Sequence, residues 1–142
     1  MTMTVGKTTC SLALMSGLKK RFDKVGFIKP VGQQHVTVST KHGEELRVDK
    51  DVVLVREHFE LDHVDYKDIS PVIIPRGYTK KYVDGKITLE AQQQEVARAM
   101  ENIAKSSDVV LMEGTGHVAV GSIVGLNNAK VASMVGADMV LM

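Results

Sequence analysis

The spacing of apolar residues changes several times along the chain, and each change marks a different element. Over 11–22, Leu12, Leu14, Met15 and Leu18 lead into Lys19, Lys20 and Arg21, which predicts a helix with cations at its negative C-terminal pole. Residues 24–31 form a β-branched and aromatic run closed by proline and read as a strand. The stretch 33–47 is polar without a steady period and reads as loop. A short helix carrying Val52, Val53 and Val55 is expected over 50–59. Residues 60–86 hold Pro71, Pro75, Gly77 and Gly85, so mostly connection is expected, with one small strand. The clearest helix is 88–106. Thr88 opens it, Glu90 sits in its first turn, and Val96, Ala99, Met100 and Ile103 keep a spacing of three and four. Residues 108–113 read as a strand apolar enough to be covered on both faces. A glycine-punctuated loop follows at 114–125, then a helix at 127–135 with Gly136 as its C-cap. Another strand is expected to begin at 138–142.

Helices alternating with apolar strands predict an α/β fold with a doubly wound, mostly parallel sheet. No repeat, linker or low-complexity tract interrupts the pattern, so residues 1–142 read as a single domain. The last apolar run stops at the final residue and no strand precedes the first helix. The domain is therefore expected to be an incomplete fragment, cut at both ends.

Composition narrows the class. A chain of 142 residues is long enough to bury one core. Its 18 basic and 17 acidic residues nearly cancel, which removes the electrostatic footprint of a nucleic-acid binder. A single cysteine, Cys10, excludes an internal disulfide framework and a Cys-rich zinc site, and suits a reducing compartment. No apolar run approaches the roughly 18 residues that span a bilayer, and the first residues lack the pattern of a secretory signal. A cytoplasmic protein without a membrane partner is expected.

Val5-Gly6-Lys7-Thr8-Thr9 leads straight into the first helix. This order suits a phosphate loop: glycine lets consecutive N–H groups turn toward an anion, and the helix N-terminus adds its positive dipole. Lys7 would then reach the β- and γ-phosphates, the Thr8 hydroxyl would take a Mg²⁺ position, and Thr9 would donate to the α-phosphate. The full pattern puts another glycine five residues before Gly6, where this chain has Met1. Lys29-Pro30-Val31 lies at the C-terminal end of a predicted strand, where parallel sheets place ligands; an edge lysine is the plainer alternative. Glu113 closes an uncharged strand before Gly114-Thr115-Gly116-His117 and could hold Mg²⁺, or else pair at the surface. Asp49 and Asp51 fit helix capping on spacing alone. His35, His42, His58 and His63 read as solvated, Lys80-Lys81 and Gln92-Gln93-Gln94 as solvated faces, and the methionines as core filler.

Taken together, VGKTT at 5–9, FIKPVGQ at 27–33, VDKDVVLV at 48–55, DVVLMEGTG at 108–116 and LNNAKVASMVGADMVLM at 126–142 resemble the dethiobiotin synthetase family and its relatives. The relatives include the nucleotide-binding-like N-terminal domain of large phosphate acetyltransferases. The resemblance implies a P-loop NTPase-like fold and an ATP-dependent cyclo-ligase. In that family ATP phosphorylates a carbamate formed from CO₂ and the diamine 7,8-diaminopelargonate, and the ring closes to a cyclic urea. By motif, Val5, Gly6, Lys7, Thr8 and Thr9 would bind the nucleotide, and Lys7 and Lys29 would be catalytic. Thr8, Asp51 and Glu113 would hold Mg²⁺, while Lys29, Glu113, Gly114, Thr115 and Gly116 would meet the small-molecule substrate. ATP and Mg²⁺ are the implied cofactors, and a homodimer or a longer chain the implied assembly. The Gly32-Gln33 pair is closer to the acetyltransferase domain, which implies the alternative of a non-catalytic nucleotide-sensing domain. His117 stands where the synthetases continue with glycine, and a structural subunit with a degenerate site is the third reading.

Overall fold

The computed structural model describes residues 5–116 and 118–140. In chain order they form α1 (Val5–Lys19), β1 (Val25–Ile28), β2 (Val31–Gly32), β3 (His35–Ser39), β4 (Glu45–Asp49), α2 (Lys50–His58), α3 (Tyr66–Ile69), β5 (Val72–Ile73), α4 (Tyr78–Val83), α5 (Leu89–Lys105), β6 (Val109–Met112), α6 (Val118–Ile123) and α7 (Asn128–Val135). β1 runs parallel to β6, with Val25 opposite Val109 and Ile28 opposite Met112. β2 runs parallel to β5, and β3 pairs antiparallel with β4. The fold is mixed α/β with parallel strand pairs.

Among the described residues the pairs form three two-stranded ladders rather than one continuous doubly wound sheet. Pro30 accounts for part of this. It has no N–H to give a ladder, so the strand read over 24–31 divides. The Lys29 N–H bonds the Ile69 carbonyl, Pro30 supplies only its carbonyl to Val72, and Val31 begins a new pairing with Val72.

β1 is buried at all four positions and is the centre of the main core. Met15 of α1, Val52 and Val55 of α2, and Ala99 and Ile103 of α5 close around Phe27 and Ile28. A second cluster joins Val31, Val72, Val96, Val124, Leu126 and Val131. Helix ends follow the sequence signals. The Thr88 hydroxyl accepts from the Ala91 N–H at 3.1 Å, Asn127 accepts from Lys130 at 2.8 Å, and Gly136 is left-handed at φ 65°.

Several expectations are corrected. The stretch read as loop at 33–47 is mostly the β3–β4 hairpin, turned at Gly43 with φ 81°. Val36 and Val38 do alternate with polar residues, but β3 has no buried position, so the alternation carries little contrast. The glycine-rich stretch 114–125 contains α6, and 60–86 contains α3 and α4 besides the small strand β5. β6 is half-buried throughout rather than covered on both faces, since among the described residues it pairs only with β1. Residues 138–140 are not a strand, and 141–142 lie outside the described residues. His63 is half-buried, not solvated; burial, first of all, pulls its pKa down. Gln92 is 3% exposed, accepts from the Tyr78 hydroxyl at 2.9 Å and donates to the Val124 carbonyl at 3.2 Å, so it ties α5 to two other segments.

Candidate functional site

The parallel register of β1 and β6 sets two chain exits side by side. Lys29 follows Ile28, Glu113 follows Met112, and the Glu113 N–H donates to the Ile28 carbonyl at 2.9 Å. Lys29 is therefore no exposed edge residue: it is 9% exposed. Its ammonium donates to Asp49 Oδ1 and Asp51 Oδ2, each at 3.0 Å, and lies 3.8 Å from Glu113 Oε1.

Asp49 has two duties. As N-cap of α2 it accepts from the Asp51 N–H at 3.0 Å, and its other oxygen accepts from the Gln33 N–H at 3.3 Å. Capping and ion pairing are thus both true of it. Asp51 sits in the first turn of α2, where a carboxylate also meets the helix dipole.

Burial opposes the charge on Lys29, but the neighbouring Asp49 and Asp51 outweigh it and hold the ammonium above its ordinary pKa. Glu113 moves the other way for an acid. Burial pushes its carboxyl up, the Ser11 hydrogen bond and Lys29 pull it down, and Asp51 and Asp49 push it up again. Lys29 spends its short contacts on the two aspartates, so its longer approach to Glu113 does not offset burial. Glu113 Oε2 is buried with no hydrogen-bond partner among the described residues.

Gly6, Lys7, Thr8 and Thr9 occupy the first turns of α1, which Val5 opens. Lys7 Nζ donates to the Thr115 carbonyl at 2.9 Å, which closes the start of α1 onto the segment after β6. Between them lies a cleft of about 310 Å³, lined by Thr8, Thr9, Lys29, Asp51, Thr115 and Gly116 among others. Lys7 and Glu113 do not line it but touch residues that do. Gly114 has no room for a side chain, because Asn128 packs where its Cβ would be. The Asn128 amide oxygen accepts from the Thr115 N–H at 3.0 Å, and its nitrogen donates to the Thr115 carbonyl at 3.3 Å. His117 lies outside the described residues.

The structure thus brings Lys7, Thr8, Thr9, Lys29, Asp51, Glu113, Thr115 and Gly116 to one end of two parallel strands. Sequence reasoning left three participants unassigned. Asp49 carried a signal in the D-K-D spacing, masked by its capping role. Ser11 and Asn128 carried none, since each matters only through a distant partner.

A glycine-lysine-threonine helix start facing a strand-end acid is the arrangement of a P-loop. The family model described as AAA domain matches residues 2–142. The chain belongs to this AAA domain family. It is a P-loop NTPase domain, and nucleotide binding is the general property of that class.

In this AAA domain, no group of three or more His, Cys, Asp or Glu side chains among the described residues is placed to hold a metal alone. Mg²⁺ does not require such a cage, because it keeps waters and takes phosphate oxygens beside one or two carboxylates. No helix among the described residues of the AAA domain is long and apolar enough to cross a membrane.

Gly32 is a second tight point beside the cleft of the AAA domain. A Cβ there would stand 2.8 Å from the Asp49 carboxylate and 3.0 Å from Ile73 Cδ1. Gly32→Ala is expected to push Asp49 off its cap and cost about 1–3 kcal/mol, read as a lower urea midpoint. An unchanged midpoint would mean that Asp49 moves aside freely.

Proposed function

We propose that this cleft binds ATP with Mg²⁺ and transfers the γ-phosphoryl group to a carbamate or carboxylate, as in the dethiobiotin synthetase type of P-loop enzyme. The observation that carries the proposal is that Lys29 lines the cleft at the end of β1 while Lys7 and Glu113 each touch a residue that lines it. Phosphoryl transfer needs cations held in position more than covalent help from the protein. Lys7 would leave the Thr115 carbonyl for the β- and γ-phosphates. The N–H groups opening α1 would face the phosphates, with the helix dipole behind them. Lys29 would hold the attacking anion, its ammonium kept charged by Asp49 and Asp51.

The donor set suits a divalent cation. Glu113 Oε2 is buried with no hydrogen-bond partner among the described residues, which leaves one oxygen free for a cation that takes its other ligands from phosphate and water. Thr8, Asp51 and Glu113 would hold Mg²⁺, which supplies charge neutralisation on the phosphates as they transfer.

The test is calorimetric titration with ATP, with and without Mg²⁺, followed by phosphate release with the diamine and bicarbonate present. Glu113→Gln is expected to weaken ATP binding about tenfold in the presence of Mg²⁺ and to change it little without metal. Equal losses in both conditions would make Glu113 structural. ATP binding without phosphate release would favour the nucleotide-sensing alternative, to which the Gly32-Gln33 pair also leans.

A further inference from the structure

A second cavity, of about 240 Å³, lies beyond Gly32 from the nucleotide cleft. Gly32 separates the two: Asp49, which lines the first, and Ile73, which lines the second, both press on it. Arg47 reaches the second cavity from β4, Arg76 from the segment after β5, and Lys81 from α4. Ile73, Pro75 and Ile87 supply an apolar wall.

The charge is one-sided. No acidic residue lines this cavity. Arg47, Arg76 and Lys81 have no side-chain ion pair or hydrogen bond among the described residues, whereas Arg98, Lys105 and Lys29 elsewhere each meet a carboxylate. The chain from 76 to 86 adds Lys80 and Lys86 against a single acid, Asp84, while the whole protein is near neutral. Tyr78 does not share the role, because its hydroxyl already donates to Gln92. Three like charges converging on one concavity repel one another, and an anion between them relieves that repulsion.

We propose that this cavity is a second binding site, for a small organic dianion with a short aliphatic body such as a dicarboxylate. The guanidinium groups of Arg47 and Arg76 suit carboxylates in paired hydrogen bonds, Lys81 adds a point charge, and the apolar wall takes the methylene chain. The cavity has room for a small metabolite. The site stands apart from the phosphoryl-transfer reading and holds whether that reading stands or fails. The Lys80-Lys81 pair, read from the sequence as a solvated face, is exposed, and Lys81 also lines the cavity.

The test is calorimetry with glutarate as the probe, in a Lys7→Ala protein so that anions bound at the phosphate loop do not contribute. Saturable binding that weakens with added salt is expected, with inorganic phosphate weaker because it lacks the methylene body. Arg76→Ala combined with Lys81→Ala is expected to weaken glutarate by about tenfold or more, while ATP affinity measured with Lys7 intact stays within about twofold. Both residues are exposed, so the fold is expected to tolerate the change, as circular dichroism would report. No saturable glutarate binding, or equal binding by the double variant, overturns the proposal. Phosphate binding as tight as glutarate overturns the part played by the apolar wall.

Discussion

Lys7→Ala is expected to weaken ATP binding about a hundredfold, which corresponds to roughly 3 kcal/mol of charge-assisted hydrogen bonding. Lys7 is half-buried, and the side-chain contact that α1 makes through it is the bond to the Thr115 carbonyl. That carbonyl keeps its bond from Asn128 in the variant, so the fold should lose only about 1 kcal/mol. The separation of the two effects is what identifies a ligand-binding lysine. Calorimetry with Mg²⁺–ATP reads the first and a urea midpoint the second. An unchanged dissociation constant removes Lys7 from the site, and a collapse of both means that the lysine is structural.

Lys29→Met is expected to have the larger effect on stability. Methionine keeps the volume and removes the cation that, among the described residues, pairs with Asp49, Asp51 and Glu113. Breaking a buried pair by deleting one partner costs about 3–5 kcal/mol, a large part of the roughly 5–15 kcal/mol that holds a domain together. The loss should depend on pH in a stated direction. Glu113 has its folded pKa raised, so its protonated form is favoured by folding, and stability falls as pH rises from the ordinary carboxylate value through the folded one. Without Lys29 that fall should be steeper. In the parent protein the Lys29 contribution is fully present below its ordinary pKa of 10.5 and is lost only as pH rises through the higher folded value. Mg²⁺ should restore part of the lost stability of Lys29→Met, because a divalent cation can take the place of the ammonium among the carboxylates. A loss under about 1 kcal/mol, insensitive to pH and Mg²⁺, would show that the three carboxylates do not depend on Lys29.

The two lysines differ in how they are held, and this explains why their expected effects differ. Lys7 is bound by one backbone carbonyl that another residue can satisfy. Lys29 is the hub of a buried cluster whose remaining members repel one another. The first is free to follow a ligand. The second positions α2 and the two strand ends whether or not a ligand is present.

The segments that meet at the cleft were legible in the sequence because they are short contiguous motifs. Gly6-Lys7-Thr8 announces a phosphate loop by local order alone, and Thr88, Asn127 and Gly136 announce helix ends by the hydrogen bonds that their own neighbours require. The long amphipathic helix α5 was legible for the same reason, and β1 and β6 were legible as apolar strands, although the sequence overstated the burial of β6. Tertiary structure alone decided which of those motifs meet. The β1–β6 register places Glu113 beside Lys29, an asparagine 13 residues away clamps Thr115, and Pro30 divides one apparent strand between two ladders. It also decided that Arg47, Arg76 and Lys81, far apart in the chain, share one cavity. Hydrogen-bond capping and hydrophobic period act over a few residues and leave a trace in the sequence, whereas strand register and the convergence of like charges are set by packing between segments distant in the chain, and leave none.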